Sequence, residues 1–206
     1  MNETDKKQLD AFVVKMLKRR SVRHFSTQQA PESVILECIK VAATAPSGAN
    51  QQPWHFVMIT DAEKKRFVRQ ESEKIEYEFY HRTAPQEWLK ALAPLGTNHE
   101  KPFLEDAPCL IVVFMIKYTI NPDGTKSKHY YPLESVGIAT GFLLAALRMA
   151  GLSSLVYTPP KRDFLNKLLN RPKNEKAFAV IVTGYPANEN QLHLNKKNMA
   201  EILTAF

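Results

Sequence analysis

Residues 19–23 read Arg19-Arg20-Ser21-Val22-Arg23, and about 25 residues later the chain runs Thr44-Ala45-Pro46-Ser47-Gly48-Ala49-Asn50-Gln51-Gln52-Pro53-Trp54. The first stretch gathers three guanidinium groups and a hydroxyl, a set suited to forked recognition of a phosphate. In the second, small residues and a glycine let the main chain come close to a flat ligand. Each stretch alone has an ordinary reading, a solvated charge run and a plain loop between helix and strand. Their pairing, a basic turn followed by a small-residue loop that runs into a strand, is what narrows the fold.

Outward from these stretches the periodicity predicts the elements. Over 10–18 the apolar residues Phe12, Val13, Met16 and Leu17 lie at helical spacing and lead into Lys18, Arg19 and Arg20, so a first helix delivers positive charge to a turn. Val34, Ile35, Cys38, Ile39 and Ala42 repeat that period over 31–45, with Pro31 in the first turn and Pro46 beyond the end. Residues 54–59 read as a buried strand, and Asp61 can cap the helix that follows. The stretch 62–92 is highly charged and broken by Pro85, with apolar residues too sparse for a deep core, which predicts helices lying over the surface. Residues 109–116 form a continuous apolar run of the central-strand kind, followed by a turn at Asn121, Pro122, Asp123 and Gly124. Residues 134–150 are apolar almost all round, with Gly137 and Gly141 one turn apart and Gly151 placed to end the helix. Such a helix is either the central helix of the domain or part of a subunit interface. Strands over 153–158 and 177–184, with a helix over 162–169 between them, complete a single α+β domain spanning residues 1–206. It is expected to have four or more strands packed by helices on both sides.

Composition bounds the function. With 44% apolar and 24% charged residues, the 206-residue chain is an ordinary globular protein. Its net charge of +7 is scattered among acidic residues instead of forming a stripe, which argues against nucleic acid and leaves an anionic cofactor or substrate as the better partner. No apolar run approaches the ~20 residues a membrane span requires, and no signal peptide is recognisable, so a soluble cytoplasmic protein without membrane contact is expected. Cys38 and Cys109 lack metal-ligand spacing and read as buried, reduced thiols, with no metal expected. None of the seven glycines forms GxGxxG or a P-loop, so a phosphate must be held another way. The six histidines have no acid or serine partner at a recognisable spacing and are given no catalytic role.

The paired stretches resemble those of the FMN-dependent nitroreductases. The resemblance continues through Leu155 to Pro159, through Gly184, Tyr185 and Pro186, and to the basic pair Lys196 and Lys197, so it covers nearly the whole chain. It implies a nitroreductase-like mixed sheet flanked by helices, with FMN at a homodimer interface. It also implies that Arg19, Arg20, Ser21, Arg23, Ser47, Val156, Tyr157, Thr158 and Lys196 hold the cofactor. Lys196 stands where an arginine is usual, so a point charge replaces a fork there.

Glu76 and Tyr80, spaced i,i+4, project from one helix face, and Lys101 follows shortly before a strand. Out of context they are an exposed helix face. Their frame, Glu76-Tyr77-Glu78-Phe79-Tyr80, then Glu87-Trp88-Leu89, then 97–108, resembles the active-site lid of the iodotyrosine deiodinase branch, here spanning about 70–103. That resemblance implies that Glu76, Tyr80 and Lys101 grip the zwitterion of a halotyrosine. It further implies that the backbone N–H of Ala49 and a ribityl hydroxyl hold the phenolate, and that Thr158 is catalytic, offering its hydroxyl to flavin N5 and favouring one-electron steps. The chemistry agrees, since a carboxylate pairs with an α-ammonium while an ammonium and a phenol take an α-carboxylate. The expected activity is FMN-dependent reductive dehalogenation of halotyrosines, with electrons from an unidentified donor such as an NAD(P)H-linked reductase. The alternatives are a broad NAD(P)H-dependent nitroreductase or quinone reductase on the same fold, and a flavin- or nucleic-acid-binding protein without activity. The absence of the membrane anchor found in vertebrate relatives points to a soluble, bacterial type.

Overall fold

The computed structural model describes residues 1–188 and 195–206. Four strands make the central sheet: β1 (Trp54–Ile59), β2 (Cys109–Ile116), β5 (Ser153–Tyr157) and β6 (Glu175–Gly184), in the order β1-β2-β6-β5. All three pairings are antiparallel, and the parallel component is confined to one bridge, Ser21 with Ser154, at the β5 edge. A small hairpin of β3 (Tyr118–Ile120) and β4 (Lys126–Lys128) surrounds the expected turn at Asn121 to Gly124. These short, exposed strands escaped the sequence reading because they bury too little apolar surface to show a pattern.

The apolar run of β2 is central for the reason the sequence suggests. Leu110, Val112 and Phe114 enter one core, while Cys109, Ile111 and Val113 enter the other, so both faces of the sheet are covered. The alternation continues across β6, where a bulge opposite Val113 and Phe114 leaves Phe178 outside the ladder. Arg162 donates to the freed Phe178 carbonyl. Pro31 is the N-cap of α2 (Glu32–Ala43), which packs with α6 (Pro132–Met149) on the second core through Ile35, Cys38 and Ala42 against Val136, Ala139, Leu143 and Leu147. By length and composition α6 could cross a bilayer, yet its fully buried stripe against the sheet makes it a core helix. Gly151 ends α6 with φ +83°, a left-handed position where glycine carries no steric penalty.

Two expectations need correction. The first helix, α1 (Glu3–Leu17), starts well before residue 10, because Asn2 accepts from Asp5 N at 2.8 Å and caps a polar first turn. The charged stretch after β1 is not a surface layer throughout. In α3 (Ala62–Glu78) the stripe Lys65, Val68, Ser72 and Glu76 is buried, and three of those four residues are polar. A π-helical turn (Phe79–Thr83), α4 (Gln86–Leu92) and α5 (Phe103–Asp106) complete the stretch, with the expected break at Pro85. Helix α7 (Asp163–Leu168) lies between β5 and β6.

Candidate active site

The basic turn runs along the outer strand β5. The Ser21–Ser154 bridge and the bond from Val22 N to Ser154 O at 3.2 Å lay residues 21–22 beside it. Val22 and Phe25 are buried, and Ser21 alternates outward to solvent, while Arg19, Arg20 and Arg23 are half-buried. Arg20 Nη1 donates to Leu17 O at 2.7 Å and Arg19 O at 2.8 Å, which satisfies carbonyls at the end of α1. Arg20 Nε is buried and has no partner among the described residues, a costly arrangement that an anion would relieve. On β5 itself Leu155 and Tyr157 turn into the core, whereas Val156 and the following Thr158 are exposed.

The loop before β1 is backed by the start of α6. Ala49 (φ 49°), Asn50 (φ 53°) and Gln52 (φ 47°) all adopt left-handed backbone, which costs a side-chain-bearing residue ~1–2 kcal/mol each. The surroundings over-determine that strain. Ser47 Oγ accepts from Gln52 N at 2.9 Å, and Gln51 Oε1 accepts from Tyr130 N at 2.7 Å. Gly48 packs so closely that a Cβ there would lie 2.5 Å from the Tyr130 carbonyl oxygen. Clusters of strained residues of this kind occur where function demands a fixed main chain.

Glu76, Tyr80 and Lys101 converge. Glu76 and Lys101 are only 7% and 3% exposed, which rejects the exposed-face reading of that helix. Lys101 Nζ lies 3.6 Å from Glu76 Oε2 and 5.2 Å from the centre of the Tyr80 ring, and it donates to the Asn98 carbonyl. The Lys101 main-chain N–H donates to Glu73 Oε1 at 2.8 Å. From β5, Tyr157 OH donates to Glu76 Oε1 at 3.1 Å, with Ser72 beside it. Burial pushes the Lys101 pKa down, against the pull of the Glu76 and Glu73 carboxylates, and Arg23 lowers it further. Burial, then the Glu76 charge, raises the Tyr157 phenol, so it remains a hydrogen-bond donor. A buried carboxylate, ammonium and phenol within reach of one another can read both ends of an amino acid.

Apart from Lys196, the predicted residues thus fall into three places. Glu76, Tyr80, Lys101 and Tyr157 meet between α3, the segment before β2 and β5, with Arg23 close enough to influence Lys101. Arg19, Arg20, Ser21, Val156 and Thr158 line the β5 edge, while Ser47 and Ala49 sit before β1, at the opposite edge of the sheet. Lys196 is exposed in the stretch 195–198 and has no side-chain partner among the described residues; His193 lies outside them. Sequence reasoning missed Ser72 and Glu73, which extending the Glu76 face by one helical turn would have found. It also missed the bond between Tyr157 and Glu76, for which no local signal exists.

Comparison with known proteins shows the family to which the chain belongs. The nitroreductase family model matches residues 16–185. An iodotyrosine deiodinase of Haliscomenobacter hydrossis is 48% identical over 189 residues, covering 91% of this chain and 85% of that protein. The Nematostella vectensis iodotyrosine deiodinase is 40% identical over 203 residues, covering 98% and 77%. Among solved structures, oxidised iodotyrosine deiodinase bound to FMN and 3-iodo-L-tyrosine matches with a TM-score of 0.82 and 31% identity, covering 94% of this chain and 100% of that one. A BluB-like flavoprotein of Clostridium difficile matches with a TM-score of 0.73 and 25% identity, covering 93% and 97%. The chain belongs to the nitroreductase family, within its iodotyrosine deiodinase branch.

Proposed function

We propose that this protein binds FMN as a homodimer and removes halogen reductively from halogenated tyrosines, releasing halide and tyrosine. The observation that carries this reading is the buried pair Glu76 and Lys101 with the half-buried Tyr80 beside it, set against the strand that leads to Thr158. A reductase acting on varied nitroaromatics has no use for a buried carboxylate and ammonium at that place.

Three guanidinium groups and the Ser21 hydroxyl suit the FMN phosphate, and the unpartnered Arg20 Nε supports that choice. Val156 and Thr158 line the flavin, Tyr157 contributes through its main chain, and Ser47 and Lys196 complete the cradle. FMN, when bound, supplies the electrons for halide release, and an outside donor such as an NAD(P)H-linked reductase replenishes them. The protein does the rest. Glu76 takes the α-ammonium, Lys101 and Tyr80 take the α-carboxylate, the Ala49 main chain holds the phenolate, and Thr158 presents its hydroxyl to the flavin. The closed lid excludes water.

The dimer follows from the same layout. Because Ser47 and Ala49 lie at the β1 edge and the basic turn lies at the β5 edge, one flavin touched by both sets takes the loop from a second copy. Exposed apolar residues of α1 and α6, among them Phe12, Leu17, Ile138, Phe142 and Met149, supply the surface for that copy. Two buried free thiols suit a reducing compartment such as the cytoplasm.

Titration of the oxidised holoprotein with 3-iodotyrosine, followed by flavin fluorescence, tests the reading. Glu76→Gln removes a charged hydrogen-bond partner and should weaken 3-iodotyrosine roughly 10- to 150-fold while leaving FMN affinity unchanged. Affinity within about twofold of the parent in Glu76→Gln, Tyr80→Phe and Lys101→Gln alike would leave only a general nitroreductase.

A further inference from the structure

The two oxygens of Glu76 are held differently. Oε1 accepts the Tyr157 hydroxyl at 3.1 Å, whereas Oε2 faces Lys101 Nζ at 3.6 Å, beyond a close hydrogen bond, and Lys101 spends a proton on the Asn98 carbonyl instead. Tyr157 is buried, and its ring meets Phe103 edge-on at 5.7 Å, so its hydroxyl has little freedom. It stands on β5, one residue before Thr158, while Glu76 stands on α3, so this bond joins the lid to the strand at the flavin edge.

Resting on the halotyrosine reading above, we infer that Tyr157 is a positioning residue for substrate. It anchors Glu76 Oε1 so that Oε2 exchanges Lys101 for the α-ammonium of the incoming amino acid. The exchange also releases the Lys101 ammonium toward the α-carboxylate. No charge is created or destroyed: a buried pair within the protein becomes two pairs between protein and zwitterion. A carboxylate held at one oxygen loses less orientational freedom on binding than an unanchored one, which favours affinity. Ser72 and Glu73 from α3, Tyr80 and Lys101 from the lid, and Arg23 from the basic turn are the other polar groups packed around this pair.

The test compares two ligands of the oxidised holoprotein, 3-iodotyrosine and its analogue without the amino group, 3-(4-hydroxy-3-iodophenyl)propionate. Tyr157→Phe keeps the ring and its contact with Phe103. It should weaken 3-iodotyrosine about fivefold or more, leave the analogue within about twofold, and leave FMN retention unchanged. In a Glu76→Gln background the same substitution should alter neither ligand, because the carboxylate that Tyr157 orients toward the α-ammonium is then absent. The ratio of the two affinities within one variant is insensitive to partial loss of folded protein. Equal weakening of both ligands, or an undiminished effect in the Glu76→Gln background, would reduce Tyr157 to a packing role and overturn the inference. A parent protein that binds both ligands equally well would overturn the amino-acid reading of the lid, and the inference with it, before any Tyr157 variant is made.

Discussion

Lys101 carries its charge at a cost, and the direction of that cost yields a pH dependence. Burial holds its pKa below the ordinary lysine value, although Glu76 and Glu73 pull it back up. Between that lowered value and about 10.5 the unfolded chain binds more protons than the folded one, so this residue adds stability as pH rises through the window. Ligand binding runs the other way. A substrate carboxylate stabilises the ammonium, so 3-iodotyrosine affinity should fall as pH rises through the lowered Lys101 pKa. Fluorescence titrations from neutral to alkaline pH should show this limb in the parent and lose it in Lys101→Gln. An identical limb in both proteins would assign it to the ligand's own ionisation. The same residue scale explains why a buried Glu76 and Lys101 are tolerated. Each has a partner, Tyr157 and Asn98 respectively, besides the other, so neither charge depends on a single contact.

At the scale of elements, α3 and the loop before β1 are held by unlike means. Lys65 donates to the carbonyls of Glu105 at 3.0 Å and Ala107 at 2.7 Å, which fixes α3 to the entry of β2 and so fixes Glu76 relative to Lys101. A polar stripe does the anchoring that an apolar stripe does elsewhere, which is why hydrophobic periodicity misreads this helix as superficial. The loop over 47–52 is held by local hydrogen bonds together with close contact between Gly48 and Tyr130. Gly48→Ala would place a Cβ 2.5 Å from backbone, which cannot give way as a flexible side chain can. The expected outcome is a loss of about 1–3 kcal/mol in denaturant unfolding, together with weaker FMN retention because Ser47 and Ala49 move with the loop. Unchanged FMN affinity in a destabilised Gly48→Ala protein would separate that loop from the cofactor.

At the scale of the molecule, α1 buries none of its fifteen residues in the single chain and is tied to α6 chiefly by Lys15 to Met149 O at 3.1 Å and Arg148 to Lys15 O at 3.2 Å. Phe12, Val41, Phe142, Ala145, Ala146 and Met149 line an apolar cleft of about 360 Å³ between α1, α2 and α6. An apolar surface of this kind is stable when a partner covers it. Phe142→Glu should therefore give a monomer by sedimentation or light scattering, and FMN should leave with the dimer. A dimer that survives Phe142→Glu with FMN bound would move the interface elsewhere.

Much of this was legible in the chain itself. The buried runs of β2 and β6 and the apolar stripes of α2 and α6 declare themselves, because apolar spacing records which faces avoid water, whereas β1, expected to be a buried strand, is half-buried over its four middle residues because it lies at the sheet edge. The basic turn and the loop with Gly48 were visible because they are contiguous, and contiguity is what a motif encodes. Glu76 and Tyr80 were visible as a helical pair, but the burial of Glu76 was not, since a polar residue gives no sign of its burial. Only the tertiary structure decided what lies between elements remote in sequence: that Tyr157 of β5 bonds to Glu76 of α3, that Lys101 turns inward to the same carboxylate, and that Ser47 and Arg20 stand at opposite edges of one sheet. The two contacts at Glu76 span 81 residues of chain to Tyr157 and 25 to Lys101. They arise when the sheet and its two cores close, and no local propensity encodes them.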